Sequence, residues 1–392
     1  MKIAQDKSRV SLLIFTVYFI VICGVAQYSY RRPEYNWDML PYMAIVLSAK
    51  YQDIGSIKQE TYRSAREHIP EAFYRQLINP ANAYRREMYL NDTAFYEQLA
   101  FYVVKPLYTV LVYLGYHAGF SLAGATVLPS VFSWLAISVL LLYWLNEYLS
   151  ASFAAGAALL IMLSAPLLSV ARLSTPDALS AFLLLGAFYF ILEKPRLPLM
   201  LLFMTAAILA RPDNIIPCIL LLFIPAVAKS SPAKMSVKGY IGIFLLLCGC
   251  FVIDSLRAGA FGFDILYYPT FSQSLNMAHE DAGVFSWIGY LRVLRADAVT
   301  GLYHSSIGLF GFMALLVLYR ERISSPGALT LPLLLLFLCC VTMLIRFILV
   351  PDIADRFYIP YYLLISILLI KSFAGDRGLK YHQNQNSPQW KF

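Results

Sequence analysis

The chain has 392 residues, 59% hydrophobic and only 14% charged, with a formal net charge of +8 and a mean hydropathy of +0.63. Soluble domains carry about 25% charged residues, so a water-soluble globular protein is excluded, and a positive balance scattered between apolar runs is not a nucleic-acid footprint. The alternation of a membrane β-barrel is missing too, which leaves an all-α polytopic membrane protein whose helices satisfy their own backbone in lipid.

About ten runs approach the ~20 residues that cross the hydrocarbon as helix. The first is Val10 to Tyr28, followed by a long loop to about Tyr102. Leu122 to Leu145, Ser150 to Ala171, Ala178 to Leu192, Leu197 to Ala210, Ile215 to Ala228 and Tyr240 to Leu256 come next. Gly301 to Tyr319, Ala328 to Val350 and Phe357 to Ile370 complete the set. Residues 1–371 thus form one transmembrane unit with outer loops at 31–103 and 257–300, and 372–392 a polar, disordered cytoplasmic tail. Alternating from a cytoplasmic N-terminus puts Lys194 and Arg196, then Lys229, Lys234 and Lys238, then Arg320 and Arg322, then Lys371, Arg377 and Lys380 inside, as the positive-inside rule requires. Both termini are therefore expected in the cytoplasm. No small-x-small cleavage site precedes Arg31-Arg32, so the first span reads as an uncleaved anchor. All six cysteines fall within predicted spans, which offers no disulfide or zinc framework.

Two stretches of the first loop are amphipathic. Trp37, Leu40, Tyr42, Met43, Leu47 and Tyr51 form one stripe, and Phe95, Leu99, Tyr102 and Val103 another, with Asn91-Asp92-Thr93 as cap residues before the second. Aromatic-rich helices of this kind lie in the membrane interface.

Asp38 stands just past the first span. It suits a helix N-cap, and it equally suits a general base at the bilayer surface. Lys105 interrupts an apolar-aromatic run. It would snorkel to the headgroups, or, with Pro106 starting a helix, sit at a positive helix end suited to phosphate. Three short turns pair an arginine with an aspartate: Arg172 with Asp177, Arg211 with Asp213, and Arg356 with Asp355. They read as local salt bridges or as one cationic rim for an anionic headgroup, to which the guanidinium fork is fitted. His279, Glu280 and Asp281 are adjacent and make a poor metal site, and His117 and His304 read as packing or interface residues. Phosphate loops, Cys-x-x-Cys and the Gly-x-Ser-x-Gly elbow are all lacking.

Asp38, Lys105-Pro106, Thr175-Pro176-Asp177-Ala178, Arg211-Pro212-Asp213-Asn214 and Asp355 to Pro360 occur in an order that resembles the GT-C superfamily of integral-membrane glycosyltransferases, in particular the protein O-mannosyltransferase and aminoarabinose-transferase branch. The resemblance spans about residues 30–370 and implies sugar transfer from a polyprenyl-phosphate donor to a lipid, glycan or protein acceptor at the outer face of a bacterial inner membrane. By that resemblance Asp38 is the catalytic or acceptor-orienting acid. Lys105 and Arg356, with Arg172 and Arg211 on the rim, contact the donor phosphate. Trp37, Tyr42, Asp177, Asp213 and Asp355 position substrate. Met39 and Val104 stand where relatives often carry a second acid, so Asp92 and Glu97 are the further catalytic candidates. No cofactor, metal or nucleic acid is expected. An oligosaccharide ligase or polymerase, or a lipid or glycolipid transporter, is the alternative; Arg346 is the main ionisable residue inside a span.

Overall fold

A computed structural model describes residues 2–227, 236–257, 286–325 and 327–382. Among them every regular element is helical. Its helices are α1 (Lys2–Arg31), α2 (Met39–Leu47), α3 (Ile54–His68), α4 (Glu71–Leu77), α5 (Ala83–Leu90), α6 (Asp92–Glu97), α7 (Ala100–Val103), α8 (Pro106–His117), α9 (Leu122–Leu145) and α10 (Ala151–Met162). These are followed by α11 (Ala165–Arg172), α12 (Asp177–Leu192), α13 (Leu197–Ala210), α14 (Ile215–Val227), α15 (Val237–Arg257), α16 (Trp287–His304), α17 (Ile307–Ser324), α18 (Leu331–Leu349) and α19 (Ile359–His382).

Among the described residues, four helices are long and apolar enough to cross a membrane, and up to seven spans result if each of three bent pairs counts as one. The bent pairs are Asp92–Val103 with α8 at 108°, α10 with α11 at 65°, and α16 with α17 at 80°. The expected run from Ser150 to Ala171 is thus broken at Leu163-Ser164, where Pro166 opens the next helix. The expected span from Gly301 to Tyr319 straddles a second break at Ser305-Ser306. Residues 287–300, expected in an outer loop, are helical, and α19 continues to His382 through part of the expected tail. Lys229, Lys234, the His279-Glu280-Asp281 run and the polar end of the tail lie outside the described residues.

The centre of the bundle is α9, whose Trp134 and Trp144 are fully buried. It packs against α12, α8, α1 and α11. Tyr18 in α1 donates to the Ser138 carbonyl of α9 across 2.9 Å, which ties the first helix to the core. Helix α12 packs most extensively on α13; Gly186 permits this, because a Cβ there would lie 2.3 Å from the Phe203 ring. The stripe expected to lie in the membrane interface is instead protein core: Met39, Leu40, Tyr42, Met43 and Ala44 are all fully buried in α2, against α3, α8 and α9. The period of the stripe is right, but apolar residues also fill its polar face, so α2 buries on all sides.

Candidate functional site

The loop entering α2 is stitched to the turn entering α12. Glu34 N–H donates to the Arg172 carbonyl (2.9 Å), and Ser174 N–H donates to Asn36 Oδ1 (2.9 Å). From the other side α9 holds the same turn, with Ser130 Oγ donating to the Thr175 carbonyl (2.9 Å) and Thr126 Oγ1 lying 2.9 Å from Ser174 Oγ. These bonds bring Asp38 beside Asp177. Helix α8 begins with Pro106 at its first position and Lys105 at its N-cap, and α13 ends at Arg211. A short 3₁₀ turn, Asp355–Phe357, delivers Arg356 to the same place. One end of the bundle thus gathers a cavity of about 210 Å³ whose wall includes Asp38, Tyr42, Lys105, Asp177, Arg211 and Arg356.

Asp38 occupies the N-cap position of α2 but makes no side-chain capping bond. Its carboxylate turns into the cavity instead. Oδ1 accepts from Tyr102 OH (2.8 Å); Oδ2 accepts from Arg356 Nη1 (3.0 Å) and Asn36 Nδ2 (3.1 Å). Burial raises the affinity of Asp38 for a proton, but Arg356 first, then Lys105 and Tyr102, outweigh it and hold the acid below the ordinary carboxylate range.

Ion pairs continue from there. Arg356 Nε lies 3.9 Å from Asp177 Oδ2, Asp177 binds Arg211, and Arg211 holds Asp213 with both Nε (3.0 Å) and Nη2 (2.7 Å). Asp213 reaches Arg346 Nε at 3.4 Å. Three guanidiniums share the Phe357 ring, with Arg346 at 3.7 Å, Arg356 at 4.7 Å and Arg211 at 4.9 Å from its centroid. Lys105 differs from all of them. Its ammonium has no hydrogen bond or ion pair to a described residue, and lies 4.8 Å from the Tyr102 ring centroid and 5.8 Å from that of Tyr42. Burial pushes its pKa down to about 8, against the opposing pull of Asp38. Four cations (Lys105, Arg211, Arg346, Arg356) face three carboxylates (Asp38, Asp177, Asp213) in direct contact, with the charge of Asp352 acting on Arg356 from farther off.

Other residues singled out from the sequence lie elsewhere. Arg172 pairs with Glu34 (3.2 Å) and donates to the Arg32 carbonyl (2.7 Å), not with Asp177, and it is off the cavity wall. The 32–34 strand of chain runs past the end of α11 and captures it. Asp355 does not pair with Arg356; it accepts from Ser306 N–H (2.8 Å), Ser306 Oγ (2.9 Å) and Tyr362 OH (2.9 Å), which pins the α16–α17 break. Asp213 forms a layer behind Arg211, and Trp37 points away to Tyr84 OH (3.1 Å). Asp92 pairs with Lys58 on an exposed surface, and Glu97 has one buried oxygen without a hydrogen-bond partner among the described residues, away from the cavity. Neither accompanies Asp38. Also among the described residues, no three His, Cys, Asp or Glu side chains converge as a metal site.

Sequence reasoning missed Tyr102, Thr175, Phe357 and the place of Arg346 in the cluster. For Arg346 a signal existed: an ionisable residue inside an apolar run marks a functional cluster. It sits in the last turn of α18, at the cavity end and not at mid-helix.

No family model, curated protein or solved structure matches the chain significantly. What the site can do therefore rests on its own chemistry. It offers a carboxylate, an uncommitted ammonium and a braced set of guanidiniums around one small cavity.

The ammonium gives a pH signature. Below pH about 8 Lys105 is charged, and above it the charge is lost. Affinity for a phosphodiester such as dimethyl phosphate should therefore fall as pH rises from 7 to 9, and Lys105→Arg should abolish the fall. Isothermal titration at several pH values reads this directly; flat affinity in the wild type would show that Lys105 does not meet the anion.

Proposed function

We propose that this cavity transfers a sugar from a polyprenyl-phosphate donor to an acceptor hydroxyl. The single observation that carries the reading is Lys105, a cation without an anionic partner among the described residues, facing Asp38 across a cavity walled by arginines. Asp38 takes the proton of the acceptor hydroxyl, and the acceptor oxygen bonds to the anomeric carbon. The bond from that carbon to the phosphate oxygen breaks, and its electron pair leaves with polyprenyl phosphate, whose charge rises by one. Lys105 and Arg356 receive that charge. One displacement inverts the anomeric centre, and no step calls on a metal. Drawing Arg356 towards the phosphate also loosens its hold on Asp38, which makes the carboxylate a stronger base when donor is in place.

An apolar groove of about 290 Å³ between α17, α18 and α19 suits the prenyl chain. Arg346 separates it from the cavity, between Phe357 on the cavity wall (3.7 Å) and Tyr358 on the groove wall (5.4 Å). For the transporter reading, the three broken helix pairs are the feature in its favour; Arg346 is not, because it is paired with Asp213 at a helix end.

If the four short apolar helices and the α10–α11 and α16–α17 pairs each cross, while the sharply bent Asp92–Val103 and α8 pair does not, the reading keeps ten spans, cytoplasmic termini and a cavity facing out of a bacterial inner membrane. Reporter fusions at Asn82 should then score outside and fusions after Arg322 inside; the reverse at both sites would place the cavity on the wrong side for this donor. The activity test uses purified chain in vesicles with radiolabelled polyprenyl-phosphate sugars and a membrane extract as acceptor. Label should leave the donor for the acceptor fraction, and donor left intact across neutral, amino and acidic sugars would refute the transferase reading.

A further inference from the structure

Two residues of the cavity wall carry a buried hydroxyl with no hydrogen-bond partner among the described residues: Tyr42 OH and Thr175 Oγ1. Tyr42 is fully buried and Thr175 is 3% exposed. A buried polar atom left unpaired costs stability comparable to a lost hydrogen bond, so native proteins keep few of them, and two on one cavity wall point to a ligand that completes them. Each hydroxyl can both donate and accept, the pattern that matches another hydroxyl.

The charged groups on the same wall are already committed. Both Asp38 oxygens accept hydrogen bonds, one of them from Arg356, and Asp177 is held between Arg211 and Arg356. An ammonium entering the cavity would have to compete for Asp38 with Tyr102, Asn36 and the acceptor hydroxyl. Arg211 is held by both Asp177 and Asp213, so Lys105 and Arg356 are the cations that meet the donor phosphate. A carboxylate on the sugar would find no further unpaired cation on the wall.

We infer that the transferred unit is a neutral, hydroxyl-bearing sugar, neither an amino sugar nor a uronic acid, and that Tyr42 and Thr175 read its hydroxyls. This rests on the proposal that Lys105 meets the donor phosphate, and it fixes the class of sugar within that proposal. Tyr42 and Thr175 are specificity residues here: they touch the sugar and leave the phosphate to the cations.

The test measures binding of four probes to the purified full-length protein at pH 7: decyl phosphate capped as its methyl diester, so that every probe carries one phosphate charge, and decyl phosphate esterified at the anomeric position of a neutral hexose, a hexosamine or a hexuronic acid. The neutral sugar ester should bind roughly tenfold or more tightly than the methyl diester, and the two charged sugar esters should lose that gain. Tyr42→Phe and Thr175→Val should each weaken the neutral sugar ester by roughly 3- to 10-fold, the scale of one hydrogen bond, and leave the methyl diester unchanged. Unchanged affinity for the methyl diester also shows that the variants fold. If the hexosamine or uronate ester binds as well as the neutral one, or if both variants weaken the methyl diester as much as the sugar ester, the inference is overturned. Lys105→Met separates the two levels. Methyl diester affinity indifferent to Lys105 would bring down the phosphate reading itself, whereas a Lys105-dependent site without sugar preference brings down only the inference.

Discussion

Asp38→Asn should lower turnover by roughly 10²–10⁴-fold while leaving donor affinity within a few-fold of wild type, the usual cost of losing a general base. The substitution keeps the volume; the amide oxygen can accept from Asn36 in place of Oδ2, and the amide nitrogen can donate to the Tyr102 hydroxyl in place of Oδ1. The fold should not suffer, because Asp38 contributes no capping bond to α2. Removing the charge also frees Arg356 from its 3.0 Å contact, so donor affinity should hold or rise slightly. Single-turnover transfer and equilibrium binding on the same preparation separate these effects. Near-normal turnover in the Asn variant would take Asp38 out of the chemistry. No second wall residue stands ready to replace it, since Asp177 is held by Arg211 and Arg356 and lies at the start of α12.

Arg211→Ala should act on the fold. Its guanidinium is braced by Asp177 and Asp213, and the Asp177 side chain is only 2% exposed. Truncating it leaves a buried carboxylate without its main counter-charge, a change that costs about 3–5 kcal/mol in comparable buried pairs. Arg356→Ala is the contrast. Its pair with Asp38 is partly open, at 31% and 23% exposure, so stability should change by no more than about 1 kcal/mol, and donor affinity should fall instead. Thermal unfolding in detergent, followed with donor binding, distinguishes the two arginines. Equal stabilities would mean that the chain of ion pairs behind the cavity does not hold the wall.

The contrast between these arginines shows which parts of the site are legible in sequence. Periodic apolar runs give α9 and α13 to the residue, because length and hydropathy alone decide a buried helix. Lys105-Pro106 reads correctly as a helix start, and Arg211 does pair with its neighbour Asp213. Those are local facts. Arg172 and Asp177 look equally local, yet a turn separates them and the chain near Glu34 captures the arginine. Arg356 sits beside Asp355 in sequence, but its partner is Asp38, 318 positions away. Side chains at adjacent positions of a 3₁₀ turn diverge, so sequence neighbours there are poor guides to pairs. Helix breaks are hidden for a related reason: hydropathy stays high through Ser164 and Ser305-Ser306, where the direction changes. The burial of α2 depends on which helices surround it, which no window of its own sequence contains.

The most direct test of the account is a donor-bound structure of the full chain with a short polyprenyl-phosphate sugar in a lipid nanodisc. The account predicts phosphate density within hydrogen-bonding reach of Lys105 Nζ, Arg356 turned from Asp38 towards it, and the sugar against Tyr42 and Thr175. Phosphate bound at the opposite end of the bundle, where Lys371 meets Glu193 at 2.7 Å, with the Asp38 cavity empty, would contradict it.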